Sequence, residues 1–248
     1  MANSKLTAQT AATDLQATDN IYGVQNVPTT PASRKMLGKL FTSWCGLPNG
    51  TYVSASSFTI SGDYTPYIVK GTKLYLTNST KKYFYSYTNS TYSGGNTTVS
   101  VTGGSDYSLT NTTISGVYFS NNAQEYGFPS WFNWSPTIGG FSANPTNSSY
   151  RFNIVNNWVT CVIRQGTAGT STATTLTITL PITPATIANT EWHYSSGIAK
   201  NNSTDLATPA LFVILSGSAT MLCYKDISTA AWTNSGTKRI NGVVGYEI

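Results

Sequence analysis

The residues that could perform acid–base or metal chemistry are few and scattered. The chain has one histidine, nine acidic residues and three cysteines among 248 residues. A general base needs a nucleophile or an acid held beside it, and His193 instead has aromatic neighbours, Trp192 and Tyr194, in a strand-like pattern. A single histidine also excludes a multi-histidine metal site. We therefore expect His193 to be structural, and we expect no metal and no cofactor.

The acidic residues do not form a recognisable catalytic pair. Two carboxylates facing each other would suit glycoside cleavage, but the acids of this chain lie mostly in turns or near its ends. We expect Asp63 to be a turn residue whose carboxylate accepts hydrogen bonds from nearby backbone N–H groups. Asp106 and Glu125 could meet in space, although no local pattern brings them together. No glycine-rich phosphate loop or nucleophile elbow occurs in the sequence, so we expect no enzymatic activity.

The three cysteines, Cys45, Cys161 and Cys223, are an odd number without CxxC spacing. This pattern indicates neither a disulfide framework nor a zinc site. Cys161 and Cys223 lie within apolar, strand-like runs, and free cysteine often behaves as a small hydrophobic residue. We therefore expect both to be buried free thiols.

Aromatic residues are better candidates for a function in binding. Exposed rings can stack on the C–H faces of sugars while nearby amides bind their hydroxyl groups. Trp192, Tyr194 and Trp232 are predicted to lie in or beside loops of the C-terminal part, where they could contact a glycan. The alternative is that they pack in the core or at a subunit interface, and the sequence leaves both interpretations open.

The composition predicts a mainly β protein. Charged residues make up 9% of the chain, against about 25% in a typical soluble domain; Ser, Thr, Asn, Gly and Tyr, which suit strands and turns, replace them. The net charge of +5 is spread over separate pairs, whereas nucleic-acid surfaces gather basic residues along one face. We expect no nucleic-acid partner. Because no apolar run approaches ~18 residues and the first residues lack a signal-peptide pattern, we also expect no membrane insertion.

The chain is predicted to have three parts: an attachment arm (1–48), a small β domain (49–122) and a C-terminal β domain (123–248). The arm has a short strand at 21–25 and one helix, with Thr30 as its cap and Pro31 at its first position. Gly46 and Pro48 end this helix. Its apolar face comprises Met36, Leu37, Leu40, Phe41 and Trp44.

Alternating apolar residues and turn signals predict strands in the other two parts. Strands at 58–60, 67–69, 73–76, 82–87 and 97–101 suggest a small barrel or sandwich. Seven strands at 151–155, 158–164, 174–180, 191–199, 210–215, 219–224 and 240–248 suggest a jelly-roll-like β-sandwich. A tight hairpin turn is predicted at Asn156–Asn157.

Several motifs occur in the order found in virion appendage proteins of tailed bacteriophages. They are DNIYGV at 19–24, SRKML at 33–37, SGDYT at 61–65, KGTKL at 70–74 and YSGGNTTV at 92–99. The C-terminal part, from WSPT at 134–137 to GYEI at 245–248, is similar to C-terminal domains of the same proteins. The chain therefore resembles a fibre-like structural protein of a phage particle.

The resemblance implies a virion component that is made in the host cytoplasm, is commonly a homotrimer, and attaches the particle to a host surface glycan. It implies docking to other virion proteins of the tail or capsid through the N-terminal arm, by Ile21, Tyr22, Val24, Met36, Leu37, Leu40 and Phe41. A capsid decoration, head-fibre or collar protein is the alternative, and a polysaccharide depolymerase is less favoured. Such proteins share no catalytic site, so the resemblance implies no catalytic residue.

Overall fold

The computed structural model of the protein describes residues 22–24, 33–35, 43–186 and 192–248, and for 22–24, 33–35, 192 and 193 it describes the backbone alone. The regular secondary structure of these residues consists of β strands, with no α helix. The prediction of a mainly β protein is therefore confirmed. Contacts divide the chain into one unit of residues 1–42 and a second of residues 43–248.

The described part of the first unit is a pair of short strands. β1 (Tyr22–Val24) pairs antiparallel with β2 (Ser33–Lys35), which places Tyr22 opposite Lys35. β1 confirms the strand predicted at 21–25. β2 shows that the helix prediction is wrong at residues 33–35, because their backbone groups bond across to β1 rather than along the chain. Residues 30–32 and 36–42 of that predicted helix lie outside the described residues, and its predicted C-terminal end is wrong, because Ser43 and Trp44 are irregular and a strand begins at Cys45.

The second unit begins with an eight-stranded antiparallel sheet, here called the small sheet. Its strands are β3 (Cys45–Leu47), β4 (Gly50–Ser54), β5 (Ser57–Ser61), β6 (Lys73–Asn78), β7 (Thr80–Ser86), β8 (Thr91–Ser93), β9 (Asn96–Thr102) and β10 (Ser115–Ser120). The order in space is β3-β10-β6-β7-β9-β5-β4, and β8 pairs with β9.

The small sheet curls into a half-barrel around its own core. Its two edges approach each other where the amide of Gly50 donates a 3.0 Å hydrogen bond to the carbonyl of Ile114. Alternate residues of β9 face inward, as the period-two pattern predicts, and Val99 and Val101 are fully buried. The core also contains Phe58, Ile60, Ile68, Leu74, Leu76, Phe84, Leu109, Ile114 and Val117.

One predicted strand of the small sheet, at 67–69, is wrong. The backbone amides of Tyr67 and Ile68 both donate to the carbonyl of Tyr64, so the segment forms a turn. Ile68 is fully buried all the same. The apolar side chain of Ile68 therefore belongs to the core of the small sheet without belonging to a strand.

The second sheet, here called the large sheet, has twelve antiparallel strands. They are β11 (Phe132–Asn133), β12 (Ile138–Gly139), β13 (Phe141–Ala143), β14 (Ser149–Val155), β15 (Trp158–Arg164), β16 (Gly169–Ser171), β17 (Leu176–Thr179), β18 (Trp192–Asn201), β19 (Thr204–Asp205), β20 (Ala210–Leu215), β21 (Thr220–Tyr224) and β22 (Thr237–Glu247). The main order is β11-β14-β15-β22-β18-β20-β21-β17-β12. All seven strands predicted in this region are present.

A tight turn fixes the register of the central hairpin, β14–β15. Asn156 takes φ of 58° at the predicted turn, a left-handed conformation that asparagine tolerates better than most residues. Val155 consequently pairs with Trp158, and the register continues without a break to the pair of Ser149 and Arg164. Cys161 of β15 and Cys223 of β21 are free and buried, as predicted. Burial raises the pKa of both thiols well above the ordinary value.

The two sheets meet at an aromatic seam within the second unit. The hydroxyl of Tyr85 accepts a hydrogen bond from the amide of Ile154 (3.2 Å) and lies 3.3 Å from the carbonyl oxygen of the same residue, to which it donates. The ring of Tyr85 packs against Phe128 and Phe132, with centroids 5.0 and 5.1 Å apart. The predicted domain boundaries at 48/49 and 122/123 stay predictions.

Candidate binding site on the large sheet

The solvent face of the large sheet presents side chains that the core does not need. In β15, Val159, Cys161 and Ile163 point into the core, and the alternate residues, among them Val162 and Arg164, point to solvent. Cross-strand register places Val162 between Arg151 of β14 and Val243 of β22. The alternation of a strand thus brings cationic and apolar groups together on one surface.

A small pocket opens on this face beside Trp131. It has a volume of about 260 Å³ and is lined by Trp131, Ser149, Arg151, Val162 and Arg164, which we call the arginine pocket. The guanidinium of Arg151 lies 5.4 Å from the centre of the Trp131 ring. Arg164 pairs in register with Ser149, and both side chains are exposed.

A groove of about 720 Å³ continues from Arg164 across the neighbouring strands β22 and β18. Its floor is apolar, with Ile198 67% exposed and Val243 56% exposed. Its rim is cationic and fixed in place, because the guanidinium of Arg239 donates to the carbonyl of Gly166 at 3.1 Å. Ser149, Val162 and Arg164 line both the groove and the arginine pocket, so the two form one surface.

No described carboxylate neutralises the arginines of this surface. Within the described ranges, the one ion pair joins Lys200 to Asp205 at 3.3 Å. Neither Arg151 nor Arg164 has a carboxylate within 4 Å among those residues, and no acidic residue is found among the described residues that line the pocket or the groove. An unpaired guanidinium binds carboxylate or phosphate through two parallel hydrogen bonds. The surface can therefore hold an anionic group whose body rests on Trp131 and Val162.

The predicted glycan contacts differ in how far the structure exposes them. Trp232 is buried, 2% exposed, and its indole N–H donates a 2.7 Å hydrogen bond to the carbonyl of Cys223. It is a core residue, which is the packing alternative that the sequence left open, so it does not form part of a glycan-binding surface. Tyr194 is 59% exposed in β18, on the same face as Ile198. Trp192 and His193 pair in register with Leu215 and Ile214, and their side chains lie outside the described part of the chain.

The predicted docking residues fall in the first unit. Tyr22 and Val24 lie in β1. Ile21, Met36, Leu37, Leu40 and Phe41 lie outside the described residues.

The carboxylates of Asp63, Asp106 and Glu125 each accept hydrogen bonds from other groups of the protein. The carboxylate of Asp63 accepts hydrogen bonds from the amide and hydroxyl of Thr65, which lower its pKa, so the turn prediction is confirmed. Asp106 accepts two hydrogen bonds from Asn133, at 2.7 and 2.8 Å. Glu125 accepts from the hydroxyls of Ser43 and Ser120. In the ranges that the structure describes, no group of three or more His, Cys, Asp and Glu side chains could hold a metal ion.

The arginine pocket was not among the sequence predictions, although a signal for it exists. The pairs of basic residues noted in the sequence are neighbours along the chain, whereas Arg151 and Arg164 are neighbours only across β14 and β15. A two-residue turn at Asn156–Asn157 sets the register of the hairpin, and that register places Arg164 two pairs beyond Val162 and Arg151, on the same face of the sheet. Applying the predicted turn to the predicted strands would have brought Arg151 and Arg164 together, although not Trp131.

Comparisons of the chain with protein-family models, with curated proteins and with solved structures found no significant match. The described residues also contain no helix with the length and apolarity required to span a membrane.

Proposed function

We propose that the protein is a non-enzymatic structural component of a bacteriophage particle that binds an anionic glycan on the host surface. The single observation that supports the binding role is the arginine pocket, where Arg151 lies over the Trp131 ring, Arg164 lines the same wall, and neither guanidinium has a carboxylate partner among the described residues. The phage assignment rests on the sequence motifs described above. Uronic acids, sialic acids and phosphorylated sugars combine an anion with an apolar ring face. The arginines of the pocket can bind the anion, and the Trp131 ring can stack on the apolar face.

A glycan fits this surface better than a nucleic acid does. Proteins that bind nucleic acid track a charged backbone with a stripe of lysine and arginine. Here the cations are few, and the groove between Arg164 and Arg239 has an apolar floor formed by Ile198 and Val243. A ligand with isolated negative charges and extensive C–H surface matches this combination of separated arginines and an apolar floor.

Binding without cleavage is the favoured chemistry. Glycoside hydrolysis requires an acid and a second carboxylate on either side of the scissile bond. The arginine pocket is lined by Trp131, Ser149, Arg151, Val162 and Arg164, which include no carboxylate. A polysaccharide depolymerase is therefore the less favoured alternative.

The remaining parts of the proposal concern assembly. In this proposal the N-terminal arm docks to other virion proteins and three copies of the chain form a homotrimer. The small sheet belongs to a small barrel or sandwich domain, and the large sheet belongs to a jelly-roll-like sandwich domain. Low charge supports association, because neutral Asn, Ser and Thr cost less to desolvate than ions do. A capsid decoration, head-fibre or collar protein remains the alternative to a tail fibre. Deleting residues 1–35 is expected to leave a folded protein that no longer enters particles.

Binding to a panel of immobilised polysaccharides tests the proposed function. The panel contains polygalacturonate, hyaluronate, a teichoic acid and neutral dextran, and both bound protein and newly released reducing ends are measured. We expect binding to at least one acidic polymer, weaker binding as salt rises, and no release of reducing ends. Equal binding to dextran would refute the ligand class, and release of reducing ends would refute the non-enzymatic role.

A further inference from the structure

A second cavity, of about 250 Å³, lies between the two sheets, and none of its lining residues lines the arginine pocket. Its walls come from β6 and β7 of the small sheet, from β14 of the large sheet, and from the segment 123–130 that covers them. The lining residues that matter for the argument are Lys73, Tyr85, Glu125, Phe128 and Asn153.

Lys73 places a buried cation in the wall of this cavity. Its side chain is 5% exposed, and its ammonium donates one hydrogen bond to a described residue, to the carbonyl of Asn122 at 2.7 Å. The ammonium also lies 5.8 Å and 5.9 Å from the ring centres of Tyr85 and Phe128. An ammonium has three donors, so two N–H groups remain for a ligand.

Glu125 balances the charge of Lys73. This carboxylate is 7% exposed and is held by the hydroxyls of Ser43 and Ser120. Burial lowers the pKa of Lys73, and the nearby charge of Glu125 opposes that shift. One cation and one anion in the same wall leave the cavity without net charge, so it does not favour an anionic ligand as the arginine pocket does.

Asn153 contributes an acceptor that the protein leaves unused. Its Oδ1 is the one buried side-chain polar atom without a hydrogen-bond partner in the part of the chain that the structure describes. Buried polar atoms almost always have a partner, and each exception requires an explanation. Asn153 lines the cavity, and rotation of its amide would turn this enclosed oxygen toward a donor bound there.

The ligand must therefore accept from an ammonium, donate to an amide oxygen and place C–H groups against Phe128 and Tyr85. Hydroxyl groups both donate and accept. The volume lies just below the range of roughly 300–1,000 Å³ that is typical of drug-sized ligands, which limits the ligand to a single ring. We propose that this cavity, which we call the lysine cavity, is a second binding site that takes a neutral sugar of the size of one hexose.

The test is a titration of the full chain with the methyl glycosides of glucose, galactose, mannose and N-acetylglucosamine, followed by saturation-transfer NMR. We expect at least one glycoside to bind saturably in the millimolar range. Asn153→Leu, which removes the unused acceptor at similar volume, and Lys73→Met, which removes the ammonium, are each expected to weaken binding at least about tenfold. Lys81→Met removes an exposed lysine of the same sheet and should leave binding unchanged.

The outcomes separate this site from the arginine pocket. Arg164→Gln, at the end of the arginine pocket paired with Ser149, should not alter glycoside binding, so the lysine cavity is tested whether or not the protein binds an anionic glycan. Thermal unfolding of each variant checks that it is folded, and Asn153→Leu keeps the test decisive if Lys73→Met does not fold. Absence of saturable binding by all four glycosides, or full binding by folded Asn153→Leu, would overturn the proposal and leave ordered water as the partner of Asn153.

Discussion

The small sheet and the large sheet differ in how they treat the cations on their outer faces. On the small sheet, the rings of Tyr118, Tyr75 and Tyr83 lie side by side across three strands, and the ammonium of Lys81 sits 4.0 Å from the centre of the Tyr75 ring. Tyr118 stacks on Tyr75 at 4.7 Å, and Trp44 meets it edge-on at 4.6 Å. This surface is occupied by its own side chains.

The large sheet leaves two of its cations, Arg151 and Arg164, available. Arg164 has no hydrogen-bond or ionic partner among the described residues, and Arg151 contacts the ring of Trp131 without a carboxylate nearby. A cation held by neighbouring rings or carbonyls contributes to the fold, whereas an exposed guanidinium without a partner contributes little to it. The difference indicates that the outer face of the small sheet is structural and that of the large sheet is suited to binding.

Substitution of the buried tryptophan should have the largest effect. Trp232→Ala removes a core side chain and an indole hydrogen bond, so we expect a loss of about 3–5 kcal/mol in the free energy of unfolding. Tyr194→Ala, on the outer face of β18, should cost only about 0.5 kcal/mol. Urea denaturation measures both values. A small loss of stability for Trp232→Ala together with loss of glycan binding would favour the glycan-contact alternative instead.

The seam between the sheets should be the next most sensitive region. A Cβ at Gly104, where φ is +62°, would lie 1.9 Å from the carbonyl oxygen of Asn133. Gly94 has a similar φ of +58° with nothing within 4 Å, so Gly94→Ala isolates the conformational cost of about 1–2 kcal/mol. Gly104→Ala should lower the melting temperature clearly further. Equal losses in the two variants would show that the sheets are not packed closely at this point.

A smaller, pH-dependent effect should come from Glu125 at the same seam. Burial raises the pKa of Glu125, but hydrogen bonds from the hydroxyls of Ser43 and Ser120 outweigh that effect and hold it below the ordinary 4.5. A carboxyl group with a lowered pKa in the folded state stabilises the fold above its unfolded pKa, and that contribution is lost as pH falls through the folded value. Melting temperatures should therefore decline below about pH 4.5. Glu125→Gln should reduce this decline, and an unchanged pH profile would contradict the assignment.

Much of the large sheet could be predicted because its signals are local. Strict alternation in β14 and β15 and the asparagine turn between them determine which residues face the core. The strand prediction at 67–69 was wrong because a buried residue such as Ile68 gives the same apolar signal in a turn as in a strand. For Trp232 the sequence left core and surface positions open, because an aromatic side chain beside a loop can be buried or exposed with the same neighbours in sequence.

The binding surfaces could be predicted only in part, because they depend on contacts between distant segments. The arginine pocket adds Trp131 to a hairpin whose register was predictable. The lysine cavity joins Lys73 to Asn153, 80 positions further along the chain, and no local pattern relates the two. Residues in such sites come together through the packing of the sheets.

The most direct test of the arginine pocket is the affinity for polygalacturonate of the wild type, of the double variant Arg151→Gln/Arg164→Gln, and of Lys81→Gln. The account predicts that the folded double variant binds at least about tenfold more weakly, a loss of about 1.4 kcal/mol, while Lys81→Gln binds like the wild type. Undiminished binding by the double variant, or an equal loss in Lys81→Gln, would contradict it.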